Sequence, residues 1–153
     1  VRNGMIFLRR ATERDCELIY SWVNDVEVRK NAFNSEFIPY YEHYDWYKNS
    51  LNNKNRIIYI GIDGNREIGQ VRLDKDGDKG IISYVVSKSN RGVGYGKFLI
   101  KLVKEEAAKN NITVLEALVK KNNIASQKVF IKNGFSEYEE EQWFRYVFFL
   151  RSR

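Results

Sequence analysis

Cysteine is nearly absent from this chain. Cys16 stands alone, so no intramolecular disulfide can form and no thiolate metal cluster can be built. That usage fits a reducing, cytoplasmic setting, although a cysteine-poor secreted protein would look the same. Proline is as scarce: Pro39 is the only one. With no Pro- or Ser-rich linker, no internal repeat and no low-complexity tract, a single continuous domain over residues 1–153 is expected. Val1 to Gly4 precede the only methionine, Met5, as an added leader or the trace of a longer chain would. No apolar run approaches the roughly 20 residues of a membrane span, and the N-terminus has no h-region, so neither an anchor nor a signal peptide is expected. Histidine, too, occurs once, at His43.

What is plentiful is apolar side chain and positive charge. Apolar residues make up 43% of the 153, enough for a chain of this length to bury about two-thirds of its unfolded surface without a staple. The net charge is +6. A nucleic-acid binder would cluster its Lys and Arg and interleave aromatics. Here the cations are scattered among Asp and Glu, which argues against nucleic acid and suits a small phosphorylated ligand at least as well.

Periodicity divides the chain in two. Met5 to Arg9 alternates as a strand. Thr12, with Asp15 three residues on, marks a helix start, and Leu18, Ile19 and Trp22 would face the core. Asn24 to Asn34 reads as a loop holding a short helix, and Tyr41 to Leu51 as a helix with Tyr44, Trp46 and Tyr47 at helical spacing. Strands follow at Ile57–Ile62, Ile68–Leu73 and Ile81–Val86, joined by turns at Asp63-Gly64-Asn65 and Asp76-Gly77-Asp78. The second half alternates: a helix striped by Leu99, Leu102 and Val103, a strand over Thr113–Val119, a short helix from Asn123 to Gly134, and a last strand over Trp143–Leu150. Antiparallel strands followed by strand–helix–strand–helix–strand predict a mixed, mostly antiparallel α/β sheet with helices on both faces.

The segment Arg91-Gly92-Val93-Gly94-Tyr95-Gly96-Lys97 joins a strand to a helix. Closely spaced glycines let backbone N–H groups approach a ligand, and the free N–H groups and dipole of the helix's first turn point to the same place. Arg91 and Lys97 add charge. The pattern predicts a phosphate or pyrophosphate cradle. It is not a Walker A loop, because Phe98 follows Lys97 where Ser or Thr is required, and neither glycine register completes a dinucleotide fingerprint.

Arg91-x-x-Gly94-x-Gly96 resembles the acetyl-CoA signature of the GCN5-related N-acetyltransferase (GNAT) superfamily. Asn123-x-x-Ser126-x-x-x-Phe130-x-x-x-Gly134-Phe135 is similar to that family's second motif, in the right order and separation. Trp22-x-Asn24-Asp25, Arg29, Glu42-His43-x-x-Trp46 and Ile68-Gly69-Gln70-Val71-Arg72 resemble acetyltransferases acting on the 4-amino group of nucleotide-linked deoxysugars. Ribosomal-protein N-terminal acetyltransferases share part of that pattern.

The resemblance implies a splayed central strand pair that takes the pantetheine arm of acetyl-CoA as if it were a strand. The Val86 backbone would lie near the thioester carbonyl, Gly92, Val93, Gly94, Tyr95, Gly96 and Lys97 with Arg91 would hold the pyrophosphate, and Asn123 would hold the arm. Asn123 is equally suited to cap its helix. The acceptor is a primary amine, whose ammonium, with a pKa near ~10.4, must lose a proton before it attacks. Glu67, Glu116, Asp45 and His43 are candidate bases without a ranking. The family often has a Tyr as general acid where Phe130 stands; a thiolate leaves readily, and Ser126, Tyr84 or water are substitutes. His43, Gln70, Arg72 and Tyr84 are candidate substrate contacts, Arg72 for a phosphate. Trp22 and Trp46 read as core.

The favoured acceptor is an anionic amine such as a sugar nucleotide; a protein N-terminus, a polyamine, or a CoA-binding domain without catalysis are the alternatives. No metal is expected, and the aromatic last strand is either core or a homodimer edge. A valine at Gly94 is expected to block the pyrophosphate and leave the fold intact.

Overall fold

The computed structural model describes residues 5–150; Val1–Gly4, read above as an added leader or the trace of a longer chain, lie outside them. The elements run β1 (Ile6–Arg10), a 3-10 turn (Glu13–Asp15), α1 (Cys16–Val23), α2 (Val26–Asn31), α3 (Tyr40–Leu51), β2 (Arg56–Asp63), β3 (Arg66–Asp76), β4 (Lys79–Val86), a second 3-10 turn (Lys88–Asn90), α4 (Tyr95–Lys109), β5 (Val114–Lys120), α5 (Ile124–Lys132), β6 (Ser136–Glu139) and β7 (Trp143–Phe149). All seven strands form one sheet in the order β1-β2-β3-β4-β5-β7-β6, antiparallel except where β4 meets β5. The mixed, mostly antiparallel sheet with helices on both faces is as the strand order predicted. The edge strand β6 was not: its four residues are all exposed, so it carries no apolar alternation to betray it.

Each face of the sheet has its own core. Under α4 and α5 lie Val71, Leu73, Ile82, Ile100, Val103, Leu115, Phe130 and Tyr146. Under α1 and α3 lie Ile19, Trp22, Tyr47, Ile58 and Ile60. Ile19 and Ile60 are wholly buried, and burying one such side chain is worth about 1.5–3 kcal/mol. The chain enters α1 through Asp15, whose carboxylate accepts two hydrogen bonds from the Arg9 guanidinium (2.7 and 2.8 Å) and one from the Thr12 N–H (2.8 Å). The Arg9 contact is the main reason that this carboxyl is held below the usual range.

Two irregularities shape the middle of the sheet. Between β2 and β3 the register slips after Gly61, leaving Ile68 without a partner, a bulge that re-aims β3. Between β4 and β5 the ladder holds only Lys79–Val114, Gly80–Leu115 and Ile81–Glu116. Past Ile81, β4 continues to Val86 alongside β3, and β5 continues to Lys120 alongside β7, with nothing pairing the two across the middle. The sheet is forked.

Candidate active site

Strand alternation decides which backbone groups face the fork. The Asp78 carbonyl accepts from Thr113 and Val114, so even-numbered residues of β4 turn N–H and C=O toward β5. Tyr84 and Val86 therefore aim theirs into the gap. On β5 the Thr113 carbonyl accepts from Leu150, on the β7 side, so the odd residues face β7, and Leu118 and Lys120 face β4. The gap is edged on both sides by backbone groups able to pair with an extended chain.

The mouth of the fork is the glycine-rich loop. Gly92 and Gly94 have φ of +81° and +97°, and a Cβ built on either meets nothing within 4 Å. They line open space, as a cradle for a ligand must. Gly94 is also the N-cap of α4 and supplies no side-chain cap, so the first-turn N–H groups of this 15-residue helix project into the same space. Lys97 is exposed beside them and Val93 stands out into solvent. Tyr95 turns inward: it is buried, its hydroxyl donates to Asp63 and accepts from Arg66 (3.0 Å), so only its backbone faces the mouth. Gly96 answers to a different constraint, since a Cβ there would lie 3.1 Å from the Tyr84 ring and 3.3 Å from Val129.

Arg91 reaches back over the fork. Its Nε–H donates to the Val86 carbonyl (3.1 Å) and its Nη2 to Asp25 (2.9 Å). Asp25 also caps α2, accepting from Glu27 and Val28. Burial pushes the Asp25 carboxyl up, but the hydrogen bonds from Arg91 and the Val28 N–H outweigh it and hold the group below its usual range. Beside this pair a depression of about 630 Å³ is lined by Ser21, Trp22, Asp25, Ser87, Lys88 and Ser89.

Three candidates meet on the α4–α5 face. Tyr84 packs edge-on against Phe130, with centroids 5.9 Å apart, and its phenol lies beside Ser126. Burial pushes that phenol above its ordinary value, partly offset by Ser126. A phenol is protonated at neutral pH, and burial only strengthens its hold on the proton. Phe130 itself is core, stacked on Tyr146 at 5.4 Å and edge-on to Phe135 at 5.2 Å. Asn123 caps α5, its side-chain oxygen accepting from the Ser126 N–H at 3.3 Å.

The other candidates lie on the opposite face. Gln70 and Arg72 sit across from Val85 and Ser83, pointing the same way as they do. Arg72 stacks over Trp46 at 5.5 Å, as Arg56 does at 5.4 Å, and its Nε lies 3.2 Å from Asp74 as an ion pair without hydrogen-bond alignment. His43 lies apart from all of these. It is 3% exposed, wedged between α1 and α3, with Nε2 2.9 Å from the Cys16 carbonyl. That oxygen can only accept, so Nε2 holds the ring's proton, and burial keeps the ring's pKa below normal. A further carboxylate that sequence reasoning left unranked, Glu116, stands where the fork begins.

A gap in a sheet edged by free backbone groups, with a glycine-rich helix start at its mouth, has the geometry to pair with an extended, anion-headed ligand. The acetyltransferase (GNAT) domain model matches residues 6–136, and the chain belongs to that family of N-acetyltransferases. Solved structures agree in fold. Spermidine N-acetyltransferase from Vibrio cholerae, in complex with CoA and spermine, superposes with a TM-score of 0.87 at 17% identity, over 95% of this chain and 96% of that one. A domain from Methanocaldococcus jannaschii gives 0.83 at 25% identity, covering 95% and 98%. RimL, a ribosomal L7/L12 alpha-N-protein acetyltransferase in complex with CoA, gives 0.83 at 15% identity, covering 95% and 94%.

Proposed function

We propose that this N-acetyltransferase acts on a primary amine carried by an anionic molecule, a nucleotide-linked amino sugar being the acceptor that fits best. The observation that carries this reading is the charge of the face opposite α4 and α5 around the fork. Strand register aligns Arg72, Lys79, Lys120 and Arg145 there. On the two strands bordering the gap the cations are Lys79 and Lys120 and the carboxylate is Glu116, while β3 adds Asp74, paired with Arg72, and Asp76 to the same face, so the cations named exceed the carboxylates by four to three. A polyamine presents several ammonium groups and would be repelled by such a lining, whereas a phosphorylated acceptor is drawn to it.

In this reading the pantetheine arm of acetyl-CoA pairs with the backbone of Tyr84 and Val86 on one side and Leu118 on the other, with Asn123 at its flank. The pyrophosphate rests on the residues from Gly92 to Lys97, and Arg91 turns from Asp25 to meet it. A backbone N–H of β4 polarises the thioester carbonyl as negative charge develops on its oxygen. The ammonium first yields a proton to water, the neutral amine attacks, the C–S bond breaks, the thiolate takes a proton from the Tyr84 phenol, backed by the Ser126 hydroxyl, and the second proton, shed by the nitrogen as the amide forms, restores the phenol. Phe130 has no proton to give, and the low pKa of a thiol makes a strong acid unnecessary.

The test is calorimetric titration with acetyl-CoA, followed by a free-thiol assay over UDP-linked 4-amino sugars, spermidine and a peptide amino terminus. Thiol release with the sugar nucleotide and not with spermidine is expected. Release with spermidine alone would transfer the assignment to polyamines. Binding without release from any amine would favour a CoA-binding domain without catalysis.

A further inference from the structure

Four groups compete in the sequence for the task of handling the acceptor's charge, and their surroundings separate them. His43 is enclosed between helices with its ring proton committed to Cys16. Asp45 is exposed on α3, and Glu67 is exposed on β3 near the hairpin to β2. Neither lies on a strand that borders the gap. Glu116 does. It belongs to the last rung of the β4–β5 ladder, opposite Ile81, so its backbone marks the apex of the fork.

Its side chain points to the open face. Leu115, Ala117 and Val119 alternate with it and are buried on the α4–α5 side, while Leu118, two residues on, is 41% exposed. Across the apex Ile81 and Ser83 are exposed on the same side. Two cations flank Glu116, and both address one oxygen: Lys79 Nζ lies 3.2 Å and Arg145 Nη1 3.9 Å from Oε2. Among the described residues no hydrogen bond reaches either oxygen, yet the side chain keeps 18% of its surface in solvent. A carboxylate held by two ion pairs, with no hydrogen bond made and part of its surface in solvent, is oriented and still able to take a further donor.

We propose that Glu116 Oε1 is the docking group for the acceptor's ammonium, holding it at the apex end of the gap. The inference rests on the reading above, in which the pantetheine arm enters at the glycine-rich mouth and runs down the gap, so that its far end, the thioester, faces the apex. One carboxylate among cations then makes a selective arrangement. It accepts a single ammonium group, and Lys79, Arg145 and Arg72 repel further ones while tolerating phosphate. Lys79 and Arg145 hold the carboxylate in place.

Glu116→Gln keeps the shape and removes the charge. With the best amine from the thiol-release panel, KM for the amine should rise about tenfold, the scale of one hydrogen bond to a charged group, while kcat and the calorimetric Kd for acetyl-CoA stay near the parent values. Glu116→Asp should recover most of the loss. The proposal is overturned if Glu116→Gln leaves the amine KM unchanged, or if acetyl-CoA binding weakens in step, since the residue would then serve only the fork's structure. A parent protein that binds acetyl-CoA and acetylates no amine would sink the transfer reading itself, and the docking role with it.

Discussion

Gly94 and Gly96 stand two residues apart and demand the same amino acid for opposite reasons. Gly94 has open space around its Cα and a φ of +97°, so any side chain strains the backbone before it meets a ligand. The expectation that a valine there would leave the fold intact is therefore corrected, because a β-branched residue is the worst choice for that conformation. Gly96 has no such backbone demand and no room. Gly96→Ala gains up to about 1 kcal/mol in helix propensity and loses about 1–3 kcal/mol to overpacking against Tyr84 and Val129. Thermal unfolding should show a Tm lower by about 2–4 °C for this size of protein. An unchanged Tm would mean that Tyr84 moves aside freely. His43 gives a second prediction at this scale. Its folded pKa lies below the ordinary histidine value of about 6.5, because burial penalises the charged ring. Below pH 6.5 the unfolded chain takes up a proton that the folded one refuses, so the stabilisation present above 6.5 is lost as the pH falls toward the folded pKa. Tm measured against pH should decline there in the parent and flatten in His43→Asn; parallel curves would contradict it.

At the scale of elements, legibility followed burial. The strands Ile57–Ile62, Ile68–Leu73 and Ile81–Val86 alternate because one face or both is covered, and each was found within a few residues of its true ends. Helix α4 showed its stripe in Leu99 and Val103, both fully buried. β6 was invisible, because Ser136–Glu139 at the sheet edge is held by backbone pairing to β7 and not by apolar contact. The geometry of the candidate site was legible where it depends on local sequence, namely the glycine-rich turn into α4 and the Asn123 cap of α5. It was not legible where it depends on register. That Tyr84 faces Ser126, that His43 is walled off between α1 and α3, and that Glu116 sits on the last rung between β4 and β5 are all facts about neighbours distant in sequence.

For the whole molecule the fork is the organising feature. It divides seven strands into a group of four and a group of three joined by three pairs of residues. A ligand that bridges the gap takes up backbone donors that otherwise face water. Amide hydrogen exchange should therefore be fast at Tyr84, Val86 and Leu118 in the free protein and slow on adding CoA, with little change in the paired core of β3. Protection confined to the glycine-rich loop would place the ligand outside the sheet.

The ion pair between Arg91 and Asp25 joins positions 66 residues apart in the chain, one before α2 and one at the mouth of the fork. Its consequence is temporal. Arg91 also donates to the Val86 carbonyl. In the reading proposed above, Arg91 must give up Asp25 before it can meet the pyrophosphate, so the nucleotide head takes part in opening the groove. Short acyl thioesters that lack the nucleotide are therefore expected to be poor donors, and an equal kcat/KM for acetyl-CoA and for such a fragment would contradict this.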